Sequence, residues 1–209
     1  MRLVLASNNA KKLGELGQLF APLAIELVTQ GSLGVAEAEE PHHTFIENAL
    51  AKARHAAAAT GLPAIADDSG LCVDALGGAP GVQSAVYATF APEPGQEREA
   101  HRRAQDAANN ALLLQRLGGM SDRRASFVCA LIALRSADDP QPLVAFGRWQ
   151  GEILTAAQGE GGFGYDPLMF IPSLGTTVAA LPAATKNAHS HRAIAAAQML
   201  SLMRDAWHL

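Results

Sequence analysis

Short apolar runs alternate with stretches of helical spacing along this chain, and that alternation restricts its fold class more than any other feature. "RLVLA" (2–6) is a continuous apolar run of the kind a buried strand needs. It breaks at "SNNAKK", after which Leu13, Leu16, Leu19 and Phe20 recur at helical spacing and predict a helix over 11–20. "AIELVTQ" (24–30) reads as a second strand, and 31–43 as a long loop carrying Glu37, Glu39 and Glu40. Thr44 and Glu47 form a capping box, opening a helix that ends at Gly61. "LPAIAD" (62–67) predicts a strand that ends at two carboxylates, with a Gly/Pro turn at 76–85. A polar linker follows Tyr87, and 97–117 is the longest helix candidate, with Ala104, Ala107, Ala108, Ala111, Leu112 and Leu114 as its apolar positions. "ASFVCALIAL" (125–134) is a strand, "PLVAFGRWQGEIL" (142–154) one or two more, and 156–172 a glycine loop feeding an apolar strand. From Ser190 a helix carries Ala195, Met199, Leu202, Met203 and Ala206 on one face. Strands and helices are mixed throughout, which makes the class α/β.

Composition narrows what such a chain can do. At 209 residues it suits one domain, or one core with two lobes. It is 49% hydrophobic with only 5% aromatic residues, so its core is built from Ala, Leu, Val and Ile. Charged residues at 17% argue against disorder, and a net charge of −4 argues against a nucleic-acid-coating protein. Cys72 and Cys129 form no CxxC and no zinc framework, which fits a reducing compartment. The apolar run at Leu3–Ala6 is too short for a secretion signal and no run approaches 18 residues, so the expectation is a cytoplasmic protein without a membrane span.

Four stretches carry chemistry. In "ADDSG" (66–70) Asp67 and Asp68 are adjacent, and burying two like charges requires something to offset their desolvation and repulsion. On a strand they point to opposite faces, so one at most aims at a given pocket. With Glu39 and Glu40 they supply hard oxygen donors of the kind Mg²⁺ takes. "SNNAKK" places the start of a helix, with its free N–H groups, beside Asn9, Lys11 and Lys12: a phosphate cradle, or an ordinary cap with solvated lysines. "GEGGFG" (159–164) matches GxGxxG but leads into a strand rather than a helix, which excludes a dinucleotide fingerprint. Phe163 and Tyr165 there suit base stacking and core anchoring equally. "SHR" (190–192) puts His191 and Arg192 at a helix start, either as two surface cations or as groups awaiting an anion or an electron-rich ring, with Lys186 just upstream.

Taken in order, "LASNNAKKLGEL", "AEEPHHTFIENALAKA", "PAIADDSGLCVDALGGAPGVQSA", "GEGGFGYDPLMF" and "SHR" resemble the Ham1/RdgB-type nucleoside-triphosphate pyrophosphatases. The resemblance spans residues 5–192. It implies an elongated mixed β-sheet with flanking helices, folded as a single domain over 1–209 with two lobes around a central cleft. It also implies a homodimer that uses Mg²⁺ to hydrolyse noncanonical purine nucleoside triphosphates (dITP, ITP, XTP) to the monophosphate and pyrophosphate. By position, Ser7, Asn8, Asn9, Ala10, Lys11 and Lys12 match the phosphate-binding loop. Asp68 matches the general base and metal ligand, Ser69 a substrate contact, and Glu39 or Glu40 the other metal ligand. Phe163, Gly164, Tyr165, Asp166, Lys186, His191 and Arg192 match the base-recognition segments. One departure is Val86, where many relatives have Arg. The nearest rival is a Maf-like nucleotide pyrophosphatase, whose basic loop "SNNAKK" does not match; a binding module without turnover has little use for four carboxylates.

Overall fold

The computed structural model describes residues 1–23, 25–91 and 97–209, without the side chains of Ala10, Lys11, Pro22 and Arg98. Its strands are β1 (Arg2–Leu5), β2 (Glu26–Thr29), β3 (Ala64–Val73), β4 (Arg124–Leu134), β5 (Leu143–Ile153), β6 (Met169–Ile171) and β7 (Thr176–Thr177). Its helices are α1 (Ala10–Phe20), α2 (Phe45–Thr60), α3 (Arg98–Arg116), α4 (Ala183–His189) and α5 (His191–Trp207). The strands form one sheet in the order β2-β1-β3-β4-β5-β6-β7. β1 pairs in parallel with β2 and β3, while β6 pairs antiparallel with β5 and β7, so the sheet is mixed.

The chain divides into two compact units. The first comprises Met1–Ser69, Cys129–Arg148 and Asn187–Leu209. Period-two alternation gives its strands two apolar faces. Leu3, Leu5, Ile65, Cys129, Leu131 and Ala133 pack with Leu16 and Phe20 of α1 and Ala195, Met199 and Met203 of α5, and Trp207 lies against this cluster. Val4, Ala64, Ala66, Ala130, Ile132 and Leu134 face the alanine stripe of α2, Ala49, Ala53, Ala56 and Ala57. Each fully buried Leu or Ile contributes about 1.5–3 kcal/mol. The second unit, Gly70–Val128 and Trp149–Lys186, has its own core of Leu71, Val73, Leu113, Leu117, Phe127, Trp149, Tyr165 and Met169.

Local signals account for several element ends. Thr44 caps α2, its Oγ1 accepting the Glu47 N–H at 3.2 Å, and Gly61 ends the helix at φ 66°. The reciprocal half of the box differs: the Thr44 hydroxyl donates to the Glu47 carboxylate at 2.7 Å. Ser190 caps α5 through the Ala193 N–H.

Other expectations are corrected. The strand read as ending at Asp67 continues through both aspartates to Val73, because its neighbours in the sheet override the turn preference of Asp-Ser-Gly. Of the one or two strands expected over 142–154 the structure has one. The buried face of α3 is Asn109 and Leu113, continued by Leu117, while Ala107 and Ala111 are exposed. Asn109 is buried because its carboxamide accepts the Ala88 N–H at 2.8 Å and donates to the Ser84 and Ala85 carbonyls. Ala206 is exposed near the end of α5, and α4 was not anticipated. Within the linker after Tyr87, residues 92–96 lie outside the described part.

Candidate active site

Because β3 stays extended through its aspartates, Asp67 falls on the face of Ile65 and Asp68 on the face of Ala64 and Ala66. On the first face, the Asp67 carboxylate meets Lys12 Nζ at 3.0 Å and Arg192 Nε at 3.5 Å, and accepts the Ser69 hydroxyl at 3.2 Å. Arg192 also pairs with Glu15 and donates to Ser69 Oγ at 3.1 Å. On the second face, Asp68 meets Lys52 Nζ at 3.2 Å and accepts from Asn48 Nδ2 at 3.3 Å. Lys52 reaches Glu40 as well, at 3.1 Å. Asn48 and Lys52 stand one turn apart on α2. Asn48 bonds both backbone groups of His42, at 3.0 and 3.3 Å, and so ties the acidic loop to the helix.

The offset that two adjacent carboxylates require is therefore present in the chain itself: Lys12 and Arg192 on one side, Lys52 on the other. Burial pushes the Asp67 carboxyl up, but Lys12 and then Arg192 outweigh it and hold the group well below the usual carboxylate range. Asp68 moves the other way: burial raises it, Glu40 adds to the rise, and the single ammonium of Lys52 does not cancel them. Lys52 itself is raised, since Asp68, Asp67 and Glu40 together outweigh the burial of its charge. Its one positive charge is shared among several acids.

The resemblance-based site residues fall into distinct settings. In the loop after β1, the Ser7 hydroxyl accepts the Asn9 N–H at 3.2 Å and the Asn9 side chain accepts the Lys12 N–H at 3.3 Å, forming the N-cap of α1. Asn8 Oδ1 accepts the Gly31 N–H at 2.9 Å, and a Cβ at Gly31 would overlap it. The side chains of Ala10 and Lys11 lie outside the described residues. Glu39 and Glu40 are both exposed, and Glu40 is the one that joins Lys52 and Asp68. The surface setting considered for His191 and Arg192 does not hold: both are buried. Asn48 and Lys52 were not singled out; the signal for them is an amide and a cation interleaved with the buried alanines of α2.

Among the described residues no group of three or more His, Cys, Asp or Glu gathers as a metal cage. Two carboxylates, Asp68 and Glu40, do converge on one ammonium. That is a hard-oxygen pair already organised around a cation, and Mg²⁺ commonly takes one or two carboxylates with waters and substrate phosphates completing its shell. The donor set fits that ion.

The second unit holds the glycine loop. Tyr165 is a core anchor, 5% exposed, with its hydroxyl donating to the Ser84 carbonyl at 2.9 Å. Burial first, then Tyr87 and Asp106, raise its pKa. Phe163 is half-buried, with Lys186 Nζ 4.6 Å from its ring centroid. Asp166, buried, accepts from Lys186 at 2.8 Å and from the Phe163 N–H at 3.0 Å. A Cβ at Gly162 would overlap the Asp166 carboxylate, and Gly162 and Gly164 have φ of 75° and 61°. Both polar groups of Gly164 are held from α3: Asp106 accepts its N–H at 2.8 Å and Asn110 donates to its carbonyl at 3.0 Å. Those two residues had no sequence signal beyond helical spacing.

Comparison with known proteins closes on one group. A model described as the Ham1 family matches residues 3–202. A dITP/XTP pyrophosphatase of Leptothrix cholodnii is 74% identical over 211 residues, covering 100% of both chains. A dITP/XTP pyrophosphatase of Methylibium petroleiphilum is also 74% identical, over 99% of each. Among solved structures, a HAM1 protein from Coxiella burnetii superposes with a TM-score of 0.87 at 42% identity, covering 99% of this chain and 100% of that one. The Ham1 protein of Staphylococcus aureus gives 0.82 at 35%, over 98% and 99%. With the family match, the identities and the superposed structures in agreement over nearly its whole length, the chain belongs to the Ham1 family.

Proposed function

We propose that this protein hydrolyses noncanonical purine nucleoside triphosphates (dITP, ITP and XTP) to the nucleoside monophosphate and pyrophosphate, clearing them from the nucleotide pool. Relatives of 74% identity carry the name dITP/XTP pyrophosphatase, which supports the reading. The observation that carries it is the contrast within one dipeptide: Asp67 is clamped by Lys12 and Arg192, while Asp68, on the opposite face, is oriented by Lys52 and Asn48 and shares that lysine with Glu40. A general base needs a carboxylate held in a fixed orientation. Asp68 takes a proton from the water that attacks the α-phosphorus; the new O–P bond replaces the bond to the bridging oxygen, and pyrophosphate leaves. Lys52 and Asn48 fix the orientation of Asp68, and Lys12 with the N-terminus of α1 binds phosphate oxygens.

Asp68 and Glu40, with Glu39 adjacent, are the residues that would hold Mg²⁺. When bound there, the ion supplies charge neutralisation at the phosphates and lowers the pKa of bound water. In the second unit the base is read by Phe163, Gly164, Asp166 and Lys186; His191 and Arg192, which the resemblance also assigns to base recognition, are buried in the first unit. Hypoxanthine and xanthine offer a 6-oxo acceptor to cationic donors, while the 6-amino donor of adenine leaves those donors unmatched. The protein works as a cytoplasmic homodimer; among the described residues no helix is long and apolar enough to cross a membrane.

Pyrophosphate release from ITP, dITP, XTP, GTP, ATP and dTTP, each with Mg²⁺ and with EDTA, tests the assignment. Fast release from ITP, dITP and XTP that EDTA abolishes supports it. Preference for dTTP moves the protein to the Maf-like group, and no release from any substrate leaves a binding protein. Light scattering that reads twice the chain mass checks the dimer.

A further inference from the structure

The Phe163 loop is held from a direction that catalysis does not explain. Its own internal bonds, Phe163 N–H to Asp166 and Asp166 to Lys186, already link ring, acid and cation. Yet α3 adds two more. Asp106 and Asn110, one helical turn apart, present one acceptor and one donor to the same residue, Gly164, whose φ of 61° turns both its N–H and its carbonyl toward them. A carboxylate accepting a backbone N–H is a charge-assisted bond, stronger than a neutral one. Gly164 immediately follows Phe163, so fixing its peptide fixes where the Phe163 ring stands under Lys186.

We infer that Asp106 and Asn110 are positioning residues for base recognition: from α3 they preset the Phe163–Lys186 pair so that a purine meets a surface already in place. The inference rests on the base-reading role proposed above for this loop. Neither residue touches the substrate; their effect is to remove the ordering cost that a loose loop would add to binding. It follows that they govern affinity for ligands that carry a base and leave affinity for the phosphates alone unchanged.

The experiment compares wild type, Asp106→Ala, Asp106→Asn and Asn110→Ala in three measurements: KM and kcat for ITP, affinity for inosine monophosphate, and affinity for pyrophosphate with Mg²⁺. Asp106→Ala is expected to raise KM and weaken inosine monophosphate binding by about tenfold, the loss of one charge-assisted bond. In the same variant kcat stays within about twofold and pyrophosphate binding is unchanged. Asp106→Asn, whose amide oxygen can still accept the Gly164 N–H, restores most of the affinity, and Asn110→Ala falls between. Tm drops by no more than about 4 °C. An unchanged KM and inosine monophosphate affinity in Asp106→Ala overturns the inference while leaving the activity intact. Equal loss of inosine monophosphate and pyrophosphate binding also overturns it, since that is general loosening. A wild type that neither turns over ITP nor binds inosine monophosphate overturns the activity and the inference together.

Discussion

Asp67 and Asp68 are joined by one peptide bond, yet the two sides of β3 treat them as different chemical groups. Asp67 faces two cations and a hydroxyl, is wholly enclosed, and stays ionised far into the acid range. Asp68 faces one shared ammonium and an amide, and holds its proton more readily than a free carboxylate. What separates them is not depth but the ratio of cations to acids on each side. The face that carries α1 and α5 matches two acids, Asp67 and Glu15, with two cations, Lys12 and Arg192; the face of α2 brings a second acid, Glu40, to the single lysine. A strand through the middle of a sheet can thus divide a carboxylate pair into two groups with opposite shifts, with no difference in residue type.

The sharpest way to break that contrast is Asp68→Asn. Turnover of ITP is expected to fall by about 10³-fold, within the usual range for a lost general base, while Tm stays nearly level. Asp68 favours folding fully below about pH 4, and that contribution is lost as pH rises through its raised folded value. At neutral pH the Asp68 charge is opposed by burial and by Glu40, and Lys52 keeps Glu40 as a partner when it is removed, so the net cost in stability is small. Steady-state kinetics and calorimetry on one preparation decide it; near-normal turnover in the folded variant would take Asp68 out of catalysis.

Asp67→Asn should show the reverse profile. It leaves Arg192 and Lys12 without their shared partner, a loss of roughly 3 kcal/mol or about 10 °C in Tm. The contribution of Asp67 is complete above about pH 4 and disappears only as pH falls through its depressed folded value. The variant should accordingly lose the acid limb of the stability curve that this group gives the wild type. Normal Tm with abolished turnover would contradict a structural role.

The smallest signal comes from Cys129, on the Asp67 face. Burial first, then Asp67, pushes its thiol up to about 12. In the native protein iodoacetamide at pH 8 should leave Cys129 unmodified, with modification appearing only on unfolding. In Asp67→Asn that modification should be faster, by the same factor as the rise in unfolded population. Mass spectrometry of the Cys129 peptide reads both.

Most of the framework was legible in the chain. Leu3 and Leu5 announced a strand, Thr44 and Gly61 bounded a helix, and Ser190 opened another, because each signal is local. That the two acids face opposite sides was also legible, since alternation along a strand forces them apart. What the sequence hid was non-local. Nothing near Asp67 reveals that Lys12 lies 3.0 Å away or that Arg192 is buried beside it. The strand through Asp67-Asp68-Ser69 was hidden for the same reason, its partners being remote in sequence. The alanines of α3 misled because small side chains can sit on either face of a helix, whereas Asn109 is buried for its hydrogen bonds rather than its hydropathy.

One further consequence lies in the two separate cores. The chain has two tryptophans, and the cores divide them: Trp149 is 7% exposed within the second, while Trp207 is packed at the margin of the first. Each unit therefore carries its own intrinsic fluorophore in a different degree of shelter from water. With Trp149→Phe and Trp207→Phe as single-reporter versions, emission spectra recorded across a denaturant titration would reveal whether the halves melt together or in succession, with no dye attached.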